Sequence, residues 1–210
     1  LERVYVFGRD ANVNEGQLFR VETRKNGVSF RVDTYEYVSA AEAEGQPFPG
    51  QVGQSFVYSE NKLMSSWVRP VKRTSISQDG VQYNSMIEAF DAFGRPRRIL
   101  KSNSLGYLNH KVDIAEYHDN LDLWVVGQDR MQYSLESGPN GRDYFGGTMV
   151  SSEIVYNSQA LPLRSYAFGR LDKTFSYWPD GNLKTVTDGN GNTIFLGDYH
   201  RGIPRLIGHP

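Results

Sequence analysis

Tyr177-Trp178-Pro179-Asp180-Gly181-Asn182-Leu183-Lys184-Thr185-Val186-Thr187-Asp188-Gly189-Asn190-Gly191-Asn192-Thr193 is the stretch from which the fold is read. An aromatic residue leads into a turn marked by Asp180-Gly181. A short run from Leu183 to Thr187 follows, β-branched in its second half, with Leu183 and Thr185 on one face. Asp188-Gly189 and Asn190-Gly191 then end it. Alternation and β-branching mark a strand. Asn-Gly and Asp-Gly supply the positive φ that two-residue hairpin turns require.

The same grammar holds in both directions. Ser29 to Val38 alternates in its middle, and Val4 to Phe7, Ser55 to Tyr58, Glu153 to Tyr156 and Thr193 to Leu196 are rich in Val, Ile, Thr, Tyr and Phe. Asn26-Gly27, Asp79-Gly80 and Asn140-Gly141 join the three turn dipeptides already named. Helical periodicity is almost absent. Ser39 to Glu44 alone has helical composition, and Gly45-Gln46-Pro47-Phe48-Pro49-Gly50 stops it after one or two turns. That segment reads as the start of a loop over 39–53, the best candidate for a boundary inside the chain. The pattern predicts an all-β protein of consecutive antiparallel hairpins, one β-repeat region over 1–210.

Composition agrees. The chain has 210 residues, 39% hydrophobic and 13% aromatic, with 23 Lys plus Arg against 24 Asp plus Glu. Such aromatic content argues against disorder, and near-neutral charge gives no whole-chain reason to expect nucleic acid or an acidic membrane as partner. The longest apolar runs, Val4 to Phe7 and Leu123 to Val126, are far short of the roughly 20 residues of a membrane helix. With no cysteine there is no disulfide framework, thiol nucleophile or Cys zinc site.

Tyr156, Tyr177 and Tyr199 lie 21 and 22 residues apart. Each is followed by a polar turn with a small residue, then an apolar residue or proline: Asn157 to Pro162, Trp178 to Leu183, His200 to Pro204. Phe90-Asp91-Ala92-Phe93-Gly94-Arg95-Pro96 is a fourth copy, and Phe-Gly-Arg occurs at 7–9, 93–95 and 168–170. A period near 20 residues, one hairpin per unit, is the signature of stacked β-structure. The aromatic before each turn is expected to stack on its counterpart in the neighbouring hairpin.

These residues resemble a family. Phe90 to Arg95 and Tyr177 to Thr193 are similar to the YD repeat of Rhs proteins, which runs Tyr-Asp, two residues, Gly-Arg or Gly-Asn-Leu, a short strand, Thr-Asp, a short turn and Gly-Asn-Thr. Glu116-Tyr117-His118-Asp119-Asn120 with Trp124-Val125-Val126-Gly127-Gln128 also resembles a segment of large bacterial Rhs and wall-associated proteins. The likeness covers 86–210 well and 1–85 loosely, where units are degenerate. Tyr-Asp itself is kept in neither good copy, being Phe90-Asp91 and Tyr177-Trp178. The resemblance implies a long sheet spiralling into a shell, which encloses a toxic domain in bacterial toxins and serves extracellular recognition in teneurins. On it, Phe90, Asp91, Gly94, Arg95, Tyr177, Gly181, Asn182, Asp188 and Gly191 are the turn residues of the repeat. No self-cleaving aspartyl segment of that family is recognisable here.

Candidate chemical sites are weaker. Asp188, Asn190 and Asn192, and likewise Asp10, Asn12 and Asn14, alternate like the first ligands of a calcium loop. Both lack the Gly at the sixth position and the acid at the twelfth, so Asx-rich turns are preferred. His110, His118, His200 and His209 show no metal-ligand spacing. Asp113, Glu116 and Asp119 offer carboxylates for a glycosidase-like pair, supported only by availability. Eight basic residues (Arg69, Lys72, Arg73, Arg95, Arg97, Arg98, Lys101, Lys111) face three acidic ones between 69 and 111. A nucleic-acid or anionic-polysaccharide surface is one reading; charges on the solvated side of an edge strand are the preferred one.

The expectation is therefore a non-enzymatic structural segment of a secreted or surface protein, with no cofactor and no membrane insertion, enclosing or presenting a toxin or other effector. The competing expectation is an extracellular carbohydrate-binding or adhesion module with Tyr107, Trp124 and Trp178 as stacking platforms. The chain opens on Leu1 in strand-like sequence and ends Ile203 to Pro210 in repeat-like sequence. Its partners are then neighbouring repeats of a longer chain or other copies of itself, covering edges that a terminal repeat leaves open.

Overall fold

A computed structural model describes residues 1–10, 14, 16–48, 55–59, 62–66, 69–106, 110–136 and 149–210. The chain is all-β: β1 (Glu2–Phe7), β2 (Leu18–Lys25), β3 (Val28–Tyr37), a one-turn α1 (Ala40–Ala43), β4 (Ser55–Ser59), β5 (Lys62–Ser66), β6 (Val71–Gln78), β7 (Val81–Phe90) and β8 (Pro96–Asn103). Then come β9 (His110–Asn120), β10 (Val125–Glu136), β11 (Met149–Tyr156), β12 (Pro162–Ala167), β13 (Arg170–Tyr177), β14 (Leu183–Asp188), β15 (Thr193–His200) and β16 (Ile203–Gly208). Fourteen strands form one antiparallel sheet, each beside its predecessor, not closed into a barrel; β4 and β5 make a separate hairpin. Consecutive pairing of this kind needs only local turns, which is why turn chemistry predicted it.

The chain divides into two compact units, Leu1–Asp113 with Leu135–Gly146, and Ile114–Ser134 with Gly147–Pro210. In the first, the described part of the 39–53 segment contributes to a core. Ser39 caps α1, its Oγ accepting the Glu42 N–H at 3.2 Å while Glu42 accepts the Ser39 N–H at 2.9 Å, a capping box. Lys72 of β6 then holds Glu42 at 2.6 Å and Glu36 at 2.8 Å. This places Ala43 and Phe48 against Val38 and Phe90, all buried, with Phe48 and Phe90 edge to face at 5.3 Å. Lysine beside it holds the Glu42 carboxyl down at about 2.

In the second unit the strand period sorts the two faces. Phe175, Val186 and Ile194 lie directly across from one another on β13, β14 and β15. One residue along, Arg164, Thr174, Thr187 and Thr193 form the row on the opposite face, with Thr187 and Thr193 hydroxyls bonded at 2.8 Å. A period of two thus sets an apolar row on one face and a hydroxyl-bearing row on the other.

Two glycines test how closely the hairpins fit. A Cβ at Gly189 would lie 2.6 Å from the Leu171 carbonyl oxygen, on the preceding hairpin. A Cβ at Gly181 would meet nothing within 4 Å, but its φ is +86°. Gly189→Ala is expected to cost about 1–3 kcal/mol by forcing backbone apart, and Gly181→Ala about 1 kcal/mol or more through conformation alone. Urea unfolding of both variants checks this. A Gly189→Ala protein as stable as the parent would show that the two hairpins are not in contact there.

Candidate functional site

Four loops share one backbone design. In 91–95, 157–161, 178–182 and 188–192 the first N–H donates to the fifth C=O, at 3.0, 2.9, 2.8 and 2.9 Å. The fourth N–H donates back to the first C=O, and the fourth residue takes positive φ: Gly94, Ala160, Gly181, Gly191. This is the three-residue hairpin loop, a type I turn closed by a left-handed residue. Asp180-Gly181, Asp188-Gly189 and Asn190-Gly191 are thus not two-residue turns, and the last two lie within a single loop. Only Asn26-Gly27 and Asp79-Gly80 of the predicted dipeptides have both φ positive, as do Phe168-Gly169 and Arg201-Gly202. Asn140-Gly141 lies outside the described residues.

Side chains explain the loop's sequence. The first residue's Oδ1 accepts the third and fifth N–H groups at Asp91, Asn157 and Asp188, all at 2.8–2.9 Å. The fifth residue returns the contact: Arg95 Nε reaches Asp91 at 2.6 Å and Asn192 Nδ2 reaches Asp188 at 2.8 Å. Where Trp178 takes the first place, Asp180 substitutes, bonding Asn182 through N–H and Nδ2 at 3.0 and 2.8 Å. The Asn192 side chain and backbone N–H groups hold the Asp188 carboxyl below its usual range, as Asn182 holds Asp180. Asp188 is thus bonded within its own loop through both carboxylate oxygens. At the other candidate, Asp10 N–H bonds Asn14 Oδ1 at 3.0 Å; Asn12 and Glu15 lie outside the described residues.

Before three of the four loops an aromatic sits at a register shift, Phe90 opposite Pro96, Tyr156 opposite Pro162 and Tyr177 opposite Leu183; before 188–192 stands Thr187, paired with Thr193 without a shift. Rings do not stack on their counterparts as expected. Instead each hydroxyl crosses to the backbone of the unit before it. Tyr177 donates to the Pro162 carbonyl at 2.7 Å and Tyr199 to the Leu183 carbonyl at 2.6 Å. Pro162 and Leu183 are the cross-strand partners of the preceding tyrosines, so the bond recurs in register. Tyr156 donates to Asp129 at 2.7 Å and stacks on His118 at 4.7 Å; Tyr37, in the irregular half, donates to Leu18 at 3.0 Å. Each repeat is two strands long, so the 157–161 and 178–182 loops emerge at the same end of the strands, and 188–192, between β14 and β15, at the other.

The three proposed platforms fare differently. Tyr107 lies outside the described residues. Trp178 is committed: its Nε1 donates to Leu196 at 3.0 Å, its ring meets Phe195 edge to face, and Lys184 Nζ lies 4.6 Å from the ring centre. Trp124 is 70% exposed at the tip between β9 and β10, beside exposed Leu121 and Leu123. Its φ is +54° and its N–H bonds the Leu121 carbonyl, so it occupies the place that glycine fills in three sister loops. Bulky side chains rarely adopt that conformation, and exposure and strain together single it out.

The carboxylates of the hydrolase reading are each engaged: Asp113 by Lys101 and Lys111, Glu116 by Arg130, Asp119 by the Gly127 N–H. The basic excess is largely paired, Lys72 and Arg73 with Glu36, Arg95 with Asp91 and Arg98 with Glu88. Its strands β6 and β8 are interior to the sheet, which corrects the edge-strand reading. Among the described residues no three His, Asp or Glu side chains gather as a metal site would need.

Burial raises the Tyr177 hydroxyl above its ordinary 10.0, and Tyr156 likewise with help from Asp129. A raised folded pKa means stability is fully present below pH 10 and lost as pH rises through the folded value. Tyr177→Phe is expected to lose about 1 kcal/mol at neutral pH for the missing hydrogen bond. It is also expected to lose less stability than the parent between pH 9 and pH 11. Urea unfolding at both pH values measures the two effects; an unchanged alkaline slope would remove the tyrosine from that role.

No family model matches the chain, and no curated protein matches it in sequence.

Proposed function

We propose that this chain is a non-enzymatic structural segment of a large secreted or surface protein of the Rhs type, part of a wall that encloses or presents an effector. The observation that supports the reading is the recurring bond from each repeat tyrosine to the backbone of the unit before it. A device that fixes one hairpin to the last, at constant register, suits a wall extended by adding units. It uses the loop residues for construction, leaving them no chemistry to perform. The test is the natural protein. Purified from its source and digested gently, it is expected to yield this sequence inside a larger protease-resistant body that retains a second, non-covalently held fragment. A natural chain that holds no other segment and turns over a substrate would overturn the proposal.

Trp124 supports a second reading, a glycan-binding or adhesion surface, because an exposed ring in a strained backbone suits a stacking platform. Acrylamide quenching separates the roles of the tryptophans. Trp124 is expected to account for a readily quenched component that disappears in Trp124→Phe, while Trp178→Phe removes a protected one. Protection of the Trp124 component by added oligosaccharide favours the platform; full quenching in the presence of every glycan tried favours the wall.

A further inference from the structure

We propose that the first unit carries a binding groove for an acidic oligosaccharide, centred on Tyr83, on one face of β6, β7 and β8. The groove has a volume of about 360 Å³ and is lined by Thr74, Ile76, Tyr83, Ser85, Lys101 and Lys111, among others, within the range of small-molecule sites. Register explains the grouping. Ile76, Tyr83 and Asn103 stand directly across from one another, and Thr74, Ser85 and Lys101 form the next row on the same face.

Each element matches part of such a ligand. Tyr83 is 45% exposed, so beside Ile76 its ring offers an apolar floor to the C–H face of a sugar. Thr74 and Ser85 place two hydroxyls over the adjacent row, each able to donate and accept to a sugar hydroxyl. Lys101 and Lys111 stand at one end, sharing the single carboxylate of Asp113 at 2.7 and 2.9 Å. An ammonium has three donors, so two lysines on one acid keep donors and a net positive charge for a sugar carboxylate. A neutral glycan would leave that charge unanswered. A nucleic acid, which draws its affinity from many phosphate contacts, would find only these two cations there. The wall reading above does not bear on this groove, which involves none of the repeat loops.

Isothermal titration of the whole chain with trigalacturonate, maltotriose and an eight-residue oligothymidylate tests the proposal, with circular dichroism confirming that each variant is folded. Trigalacturonate is expected to bind, and maltotriose at least tenfold more weakly. Tyr83→Ala is expected to weaken trigalacturonate at least tenfold, and Tyr83→Phe to retain binding within about twofold. The double variant Lys101→Ala, Lys111→Ala is expected to lose at least tenfold and to abolish the dependence on salt. Trp124→Ala, at the rival platform, is expected to change nothing. No binding of trigalacturonate at millimolar concentration, equal binding of maltotriose, tighter binding of the oligothymidylate, or binding unaffected by Tyr83→Ala would each overturn it.

Discussion

A hairpin of some 20 residues cannot bury its own apolar face, so each unit of this chain depends on how it leans on the one before. In the second unit that dependence has a definite atom pair, a tyrosine hydroxyl and a carbonyl opposite the previous tyrosine. The carbonyl accepts this bond at the point where a register shift interrupts the ladder. A bulge leaves backbone groups short of partners, and the hydroxyl supplies one. Bulge, loop and tyrosine are therefore one device. The ring adds burial, which raises the hydroxyls of Tyr156 and Tyr177 and so extends their range as protonated donors further into alkaline pH.

Most of the architecture was legible because it is local. Turn dipeptides and β-branched runs specify hairpins, and a chain of hairpins with short connections has few topologies open to it. The spacing of Tyr156, Tyr177 and Tyr199 likewise pointed to the repeat. What the tyrosines do was not legible. Ring-to-ring stacking and hydroxyl-to-backbone bonding leave the same trace in sequence, an aromatic at constant spacing. Phenylalanine at position 90 was the available hint: having no hydroxyl, it turns inward against Phe48 instead.

Turn type was misread for a physical reason. Asp-Gly is favoured in two-residue turns because both residues tolerate positive φ, yet it also suits a three-residue loop in which only glycine needs it. In 188–192 the deciding contribution is Asp188, whose Oδ1 collects the N–H groups of Asn190 and Asn192. A carboxylate bonded to the loop stabilises the longer turn, and the neighbouring Asn192 amide completes it. The same acid and amides suggested calcium in sequence. Side chains that close an Asx turn and side chains that ligate a hard cation are the same residue types, so composition alone does not separate them.

The left-handed position shows how firmly the sheet imposes its loops. Gly94, Gly181 and Gly191 fit it without cost to a side chain, whereas Ala160 and Trp124 adopt it with φ of +58° and +54°. Ala160 is buried, and Gln128 reaches its carbonyl at 3.0 Å; the neighbouring strand thus holds that loop in place. Asn120 secures the same loop through the Ser158 carbonyl at 3.0 Å. Trp124 has no such burial around its ring, so contacts of its side chain do not offset the strain. The flanking strands impose the loop conformation there, since a hairpin whose partners are fixed has little choice of turn. A residue that keeps both strain and exposure under that constraint shows that the hairpin, and not the side chain it carries, decides the turn.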